Sequence, residues 1–435
     1  MARQGDLGPR ATAVGARPAT APRRPFREDA EAWCVKAVLF GVFVAPFVFG
    51  AYAYVAYVRG MELAPVSAWA APALRLPVRV GGDGSVVLCD VDYAAYRNEP
   101  SRFPFFSQMS RNCDKATYLL RSQVLAFDAA ADKTRLALVF HSSRCGSTLV
   151  GNMLAASRGH RVVSEPRAVE QALQTGDDAV LRAVVKLYAA GATPGETLVL
   201  KLAPQVALAH FATLLRVFPD APYLFLYRDP GATLHSLLRQ NPLLQGVSLP
   251  APVAQLYNWV RGRAMIAAPC LEAIYNPHPE FNAQRSAVAA RLAARPPGRK
   301  AGDVDFCAAW LAAICTAALD ASALAGNGAR GLFLEYDAKR LADDVLDSVV
   351  PHFRSEAPGD DAAAMRRAAS HYSKAGMFTL SKWSALKGLY QRTWEPRDEA
   401  RHHDAFSAAT EALAFPELMR RLRAANATDP SCDAE

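Results

Sequence analysis

The sequence predicts an α/β fold: a mostly parallel central sheet flanked by helices, with an N-terminal transmembrane helix ahead of it. Three observations lead there. The runs LALVF (136–140), LVLKL (198–202) and YLFLY (223–227) read as short strands buried on both faces. Helical patterns over 178–190, 205–217 and 231–241 separate them, and strands that alternate with helices imply parallel pairing. Residues 35–58, VKAVLFGVFVAPFVFGAYAYVAYV, carry a single charge, Lys36, where about 20 apolar residues suffice to cross a bilayer.

Along the chain, residues 1–34 are rich in Ala, Pro and Arg without apolar periodicity and read as a disordered cytoplasmic tail. The apolar segment 35–58 ends in Tyr52, Tyr54 and Tyr57, as an interfacial aromatic belt would, and Pro46 is a place for a kink. A cleavable signal peptide is the alternative, against which the long preceding tail argues. Arg17, Arg23, Arg24, Arg27 and Lys36 lie on the N-terminal side of the span, while Arg59 and Arg75 follow it, so a single-pass span with the body on the lumenal side is expected. Residues 59–133 read as a stem and N-terminal extension, in which PVRVGGDGSVVLCDVDY (77–93) suggests two strands around a Gly-Asp-Gly turn. The alternating body covers 134–425, with further strands at RVVS (161–164) and GLFLEY (331–336), and residues 426–435 form a tail that opens with the sequon Asn426-Ala427-Thr428.

A chain of 435 residues, 51% hydrophobic and 21% charged, has room for one large domain or two ordinary ones and is no disordered polyelectrolyte. Its formal charge of +8 suits an anionic ligand or membrane without requiring either, and no nucleic-acid partner is expected. The eight cysteines form no CxxC pair and no zinc spacing, so no metal is expected. Cys34 abuts the apolar segment and Cys145 lies in a candidate loop. Cys89, Cys113, Cys270, Cys307, Cys315 and Cys432 could form disulfides in an oxidising lumen or remain buried thiols, and sequence alone leaves the connectivity open.

Two segments carry chemistry. The first, His141-Ser142-Ser143-Arg144-Cys145-Gly146-Ser147-Thr148, follows a strand and opens a helix. Backbone N–H groups and the helix dipole there suit an anion, Gly146 allows close approach, and Ser147, Thr148 and Arg144 add donors. The loop lacks the Gly-Lys pair of GxxxxGK[ST], which disfavours a nucleoside-triphosphate site and hence a P-loop kinase. In the second, Arg228 ends the run YLFLY and Ser236 follows eight residues on, about two helical turns, so the two can grip one phosphate. Two anion sites at the carboxyl ends of parallel strands face one crevice.

Together these segments resemble the 5′-phosphosulfate loop and the 3′-phosphate motif of the sulfotransferases that use 3′-phosphoadenosine 5′-phosphosulfate (PAPS). Within that family the chain is most similar in motif to the tyrosylprotein sulfotransferases of the Golgi, well over 136–240 and loosely over 305–392. The resemblance implies their P-loop-like fold, PAPS as co-substrate without a metal, and a Golgi membrane location. It implies that Arg144, Cys145, Gly146, Ser147 and Thr148 hold the 5′ end of the donor, and that Arg228 and Ser236 hold the 3′-phosphate. Tyr336, in LEYD, matches a tyrosine near that phosphate, and Ser381 and Lys382, in SKAGMFTLSKW, fall in a late donor-binding segment. Lys201 falls on the lysine of a Lys-Asp-Pro turn, and Glu165 on the catalytic glutamate. Where the family has an Arg four residues after the Ser, this chain has Gln240, with Arg239 adjacent as a substitute.

The implied reaction is sulfuryl transfer to a hydroxyl of a glycan or a protein tyrosine. Arg144 and the loop amides would stabilise the leaving phosphate, Lys201 would act near the bridging oxygen, and Glu165 would be the base. His141, His210 and His235 are rival bases, His141 foremost because it borders the loop. The segment 241–304, with Arg261, Arg263, Arg285, Arg291, Arg295, Arg299 and Lys300 against Glu272, Glu280, Asp303 and the adjacent Asp305, reads either as an acceptor-side insertion with a basic lining or as a solvated helical insertion, and a homodimer is an open expectation. The competing class is a nucleotide-binding protein of the same fold that has lost turnover.

Overall fold

The computed structural model describes residues 74–110, 113, 116–129, 135–190, 192–193, 195–238, 269–275, 281–294, 301–324, 328–355, 359–370 and 406–425. The N-terminal tail, the apolar segment 35–58 expected to cross a membrane, Arg239, Gln240, most of the 241–304 insertion, Ser381, Lys382 and the sequon lie outside the described residues.

A small antiparallel sheet comes first. It contains β1 (Leu74–Val80) and β2 (Val86–Val91), then helix α1 (Tyr93–Asn98), strand β3 (Ala116–Leu119) and helix α2 (Arg121–Ala129), with strand order β1-β2-β3. The turn between β1 and β2 is the one expected: Gly84 has φ +82° and donates its N–H to the Gly81 carbonyl at 2.9 Å, while Asp83 accepts from the Ser85 N–H at 3.0 Å. This unit joins the body through apolar contact. Leu76, Val80, Val86, Leu88 and Val124 share one core with the helices of the body, and the Tyr188 hydroxyl donates to the Pro77 carbonyl at 2.6 Å.

The body runs β4 (Arg135–His141), α3 (Ser147–Ala156), β5 (His160–Ser164), α4 (Arg167–Gln174), α5 (Asp178–Ala189), β6 (Thr197–Lys201), α6 (Pro204–Val217), β7 (Tyr223–Tyr227) and α7 (Pro230–Leu238). After these come α8 (Pro269–Tyr275), α9 (Asn282–Ala293), α10 (Asp303–Ala323), β8 (Gly331–Glu335), α11 (Gly359–Ser370) and α12 (Phe415–Ala424). The five body strands form one parallel sheet in the order β5-β6-β4-β7-β8. Register aligns Val139 with Lys201, Lys201 with Ser164, His141 with Leu226 and Tyr227 with Glu335, so all five carboxyl ends share one edge.

Strand alternation supplies two cores. Leu138 and Phe140 of β4 face α5, α6 and α10, whereas Ala137 and Val139 face α3 and α11. Phe140 stacks on Phe211 of α6 with ring centres 3.8 Å apart, and Phe211 meets Tyr223 edge-on at 5.4 Å. Helix α10, 21 residues and apolar, is long enough to cross a membrane, yet 67% of its apolar window is buried inside the fold, where it packs against α6, α7, α8, α9 and α12. Two cysteine pairs form disulfides, Cys89–Cys113 and Cys270–Cys307, and among the described residues Cys145 and Cys315 are buried free thiols. The second pair fastens α8 to α10.

Candidate active site

The segment between β4 and α3 turns tightly. Ser143 (φ +73°), Arg144 (φ +52°) and Gly146 (φ +80°) all occupy the left-handed region, and Gly146 caps α3 by accepting from the N–H groups of Leu149 at 2.8 Å and Val150 at 3.1 Å. A non-glycine residue held there costs about 1–2 kcal/mol, and such strain concentrates at functional sites. Glu165, just beyond β5, is also left-handed at φ +53°. Of five such non-glycine residues among those described, Ser143, Arg144 and Glu165 follow the carboxyl ends of β4 and β5, the two strands that flank β6.

The loop at the end of β4 meets the one at the end of β7. Arg144 donates through Nε to the Ser236 hydroxyl at 2.9 Å, and Arg228 donates through Nη1 to the Arg144 carbonyl at 3.3 Å. Ser236, on α7, thus bonds to Arg144 of the other loop, while Arg228 bonds to that loop's backbone; the expected shared grip of Arg228 and Ser236 on one phosphate involves no bond between the two. Tyr336, at the end of β8, closes the cluster: its ring centre lies 5.1 Å from the Arg228 guanidinium, and its N–H donates to the Tyr227 carbonyl at 2.7 Å. The same ring covers Gly146 so closely that a β-carbon there would stand 2.5 Å from it.

Cys145 points away from this cluster. Its thiol is wholly buried and donates to the Leu226 carbonyl at 3.2 Å, and burial pushes it up to about 11. The side chain is therefore neutral and inward, and only the backbone of Cys145 belongs to the loop.

A second group forms beside the loop. Lys201, wholly buried at the end of β6, donates its ammonium to Oε1 of Glu165, which is 27% exposed. Their backbones are joined too, since the Glu165 N–H donates to the Lys201 carbonyl at 2.6 Å. His141, 4% exposed, accepts the Ser143 N–H on Nδ1 at 3.2 Å and brings Nε2 to 3.9 Å from Oε1 of Glu165. The other two histidines lie elsewhere: burial holds His210, on α6, below its ordinary value, and His235 packs edge-on to Phe406 at 6.3 Å.

One contributor was not anticipated. Phe105, from the N-terminal extension, lies with its ring centre 5.5 Å from the Lys201 ammonium. It adds a cation–π contact to the buried Lys201 ammonium that holds Glu165. Proline-flanked aromatics such as Pro104-Phe105-Phe106 occur widely, so only the tertiary contact reveals this role.

Chemically, the edge offers two juxtaposed tools: guanidinium, hydroxyl and backbone donors for an anion, and a carboxylate held by an ammonium. Among the described residues no cluster of His, Cys, Asp and Glu has the arrangement of a metal site. No family model matches the chain, and no curated protein matches it. Among solved structures, a sulfotransferase of Mycobacterium avium (STF9) is similar at 12% identity, over 63% of this chain and 82% of that one, with a TM-score of 0.36.

Proposed function

We propose that the chain is a sulfotransferase that moves a sulfuryl group from PAPS to a hydroxyl of a glycan or a protein tyrosine. The observation that carries this reading is the meeting of Arg144, Arg228 and Ser236 at two adjacent strand ends, the convergence that a nucleotide with two phosphates demands. The residues fit such a donor. Gly146, pressed by Tyr336, leaves backbone where no side chain can intrude, and Arg144 and Arg228 are linked by a hydrogen bond at adjacent strand ends. When bound, PAPS supplies the sulfuryl group and leaves as adenosine 3′,5′-bisphosphate. Arg144, the amides of residues 146–148 and the Ser147 and Thr148 hydroxyls hold the 5′ end. Arg228, Ser236 and Tyr336 hold the 3′-phosphate, with Arg239, Ser381 and Lys382 assigned to the same site.

Glu165 takes the proton of the acceptor hydroxyl. Lys201 holds that carboxylate in place and adds positive charge where negative charge grows on the leaving oxygen. The resemblance and the segment 35–58 support a single-pass anchor in the Golgi membrane with the body in the lumen. The two cysteine pairs fit an oxidising compartment of that kind.

The test uses the full chain in detergent with sulfur-labelled PAPS and a panel of glycans and tyrosine peptides. Label transfer that disappears in Glu165→Ala and in Arg144→Ala is expected. Binding of adenosine 3′,5′-bisphosphate without transfer to any acceptor would instead mark a nucleotide-binding protein that has lost turnover.

A further inference from the structure

The contacts around Glu165 are asymmetric. Lys201 and His141 both approach one carboxylate oxygen, Oε1, and no described residue makes a hydrogen bond or ion pair with Oε2. The His141 ring is fixed from its other side, where Nδ1 accepts the Ser143 N–H at 3.2 Å. A ring nitrogen that accepts a hydrogen bond carries no proton, so the neutral imidazole bears its hydrogen on Nε2, the edge turned to Glu165. Ser143 owes its inward N–H to its left-handed backbone, φ +73°. The anion loop therefore sets the tautomer of the histidine that faces the carboxylate.

We infer that His141 is a positioning residue for Glu165, and that Oε2 is the oxygen that takes the acceptor's proton. This rests on Glu165 being the base. The Lys201 ammonium and the His141 Nε2–H draw Oε1 to one side and turn Oε2 to the crevice. At 3.9 Å the Nε2–Oε1 contact is longer than a hydrogen bond, and such contacts tighten when substrate arrives. In the step itself the acceptor oxygen forms a bond to sulfur as the bond from sulfur to the 5′-phosphate oxygen breaks, that electron pair leaving on adenosine 3′,5′-bisphosphate. The acceptor O–H bond breaks, its electron pair stays on the acceptor oxygen, and the proton forms a bond to Oε2, from which it later passes to solvent. His141 keeps one protonation state throughout. It is not the base: it is 4% exposed and its one lone-pair nitrogen is engaged by Ser143.

Two variants dissect the ring. His141→Gln places an amide donor near Nε2, and His141→Asn places an acceptor near Nδ1. The full chain in detergent, labelled with nitrogen-15 histidine, reports the tautomer without turnover, the His141 signal being the one lost in His141→Gln. A neutral ring protonated on Nε2 is expected, and a ring protonated on Nδ1 would overturn the inference. In turnover, His141→Asn and His141→Ala should lower kcat by about 100-fold, the scale set by a misplaced catalytic group, with the Kd for adenosine 3′,5′-bisphosphate unchanged. His141→Gln should restore most of kcat, and all three should keep the acidic limb of the kcat–pH profile. Loss of that limb in His141→Gln would make the histidine the base. A weakening of bisphosphate binding equal to the loss of kcat would confine its role to the loop. If the wild-type chain neither binds the bisphosphate nor transfers label, the sulfotransferase reading fails, while the nitrogen-15 measurement still decides the tautomer.

Discussion

Gly146→Ala tests the meeting of loop and ring directly. Two separate costs arise. The φ of +80° is in the left-handed region, where a β-carbon costs about 1–2 kcal/mol. That β-carbon would also lie 2.5 Å from one Tyr336 ring carbon and 2.6 Å from another, so the ring must move, an overpacking cost of about 1–3 kcal/mol. Together the loss is about 2–5 kcal/mol. The parts separate in a double-mutant cycle with Tyr336→Ala. Without the ring, Gly146→Ala should cost only the backbone part and a tight contact with Leu341 Cδ2 at 3.1 Å, which leaves a coupling of about 1–3 kcal/mol for the ring. Denaturant midpoints of the four proteins measure it. The displaced ring also leaves Arg228, so Gly146→Ala should weaken adenosine 3′,5′-bisphosphate binding even where it folds. Additive costs in the cycle would refute the contact, and unchanged nucleotide affinity would refute its part in the site.

Other outcomes follow from single contacts. Glu165→Gln still accepts from Lys201 but is no base, so kcat should fall about 10²–10⁴-fold at unchanged bisphosphate affinity, and retained turnover would remove Glu165 from the mechanism. Phe105→Leu keeps apolar volume but loses the ring over Lys201, which should lower stability by about 0.5–2 kcal/mol in chemical denaturation. Burial pushes the His160 imidazole down to about 4 from an ordinary 6.5, so between those values the unfolded chain takes up a proton that the folded chain refuses. That stability is complete above pH 6.5 and is lost as pH falls towards 4, by about 3 kcal/mol at most, and His160→Gln should flatten the dependence in calorimetry. His210 and His352, also lowered by burial, act in the same direction. Opening either disulfide, with spans of 24 and 37 residues, should cost about 3–4 kcal/mol on the chain-entropy model, read as a lower thermal midpoint in the paired Cys→Ser variants.

The parallel strands were legible because a sheet covered on both faces needs continuous apolar runs. YLFLY spans 223–227 in the structure as in the sequence, and LALVF grows only by the flanking Arg135 and His141. β3 was not legible. Ala116–Leu119 is a short edge strand with Tyr118 exposed, so it lacks a buried pattern. The buried helix α10 also went unmarked, since an apolar helix packed on several sides carries no amphipathic stripe. At the site, Arg144 and Arg228 could be placed at strand ends, and Ser236 two turns on in the next helix, by counting residues, because loops at the carboxyl ends of parallel strands share one edge of the sheet. The exact partners could not, since the Ser236–Arg144 bond depends on how α7 leaves β7. The roles of Phe105 and His141 come from contacts between segments far apart in the chain or from backbone strain, which residue spacing does not record.

The central claim is that Arg144, Arg228 and Ser236 form one site for both phosphates of a single nucleotide. Calorimetric affinities of adenosine 3′,5′-bisphosphate and of adenosine 5′-monophosphate, measured on the wild type, Arg144→Ala and Arg228→Ala, test it most directly. A charge-assisted hydrogen bond contributes about 1.5–3 kcal/mol, so the wild type should prefer the bisphosphate by about ten- to a hundredfold. Arg228→Ala should erase that preference, and Arg144→Ala should weaken both ligands. Equal affinities in the wild type, or a preference that survives Arg228→Ala, would contradict the claim.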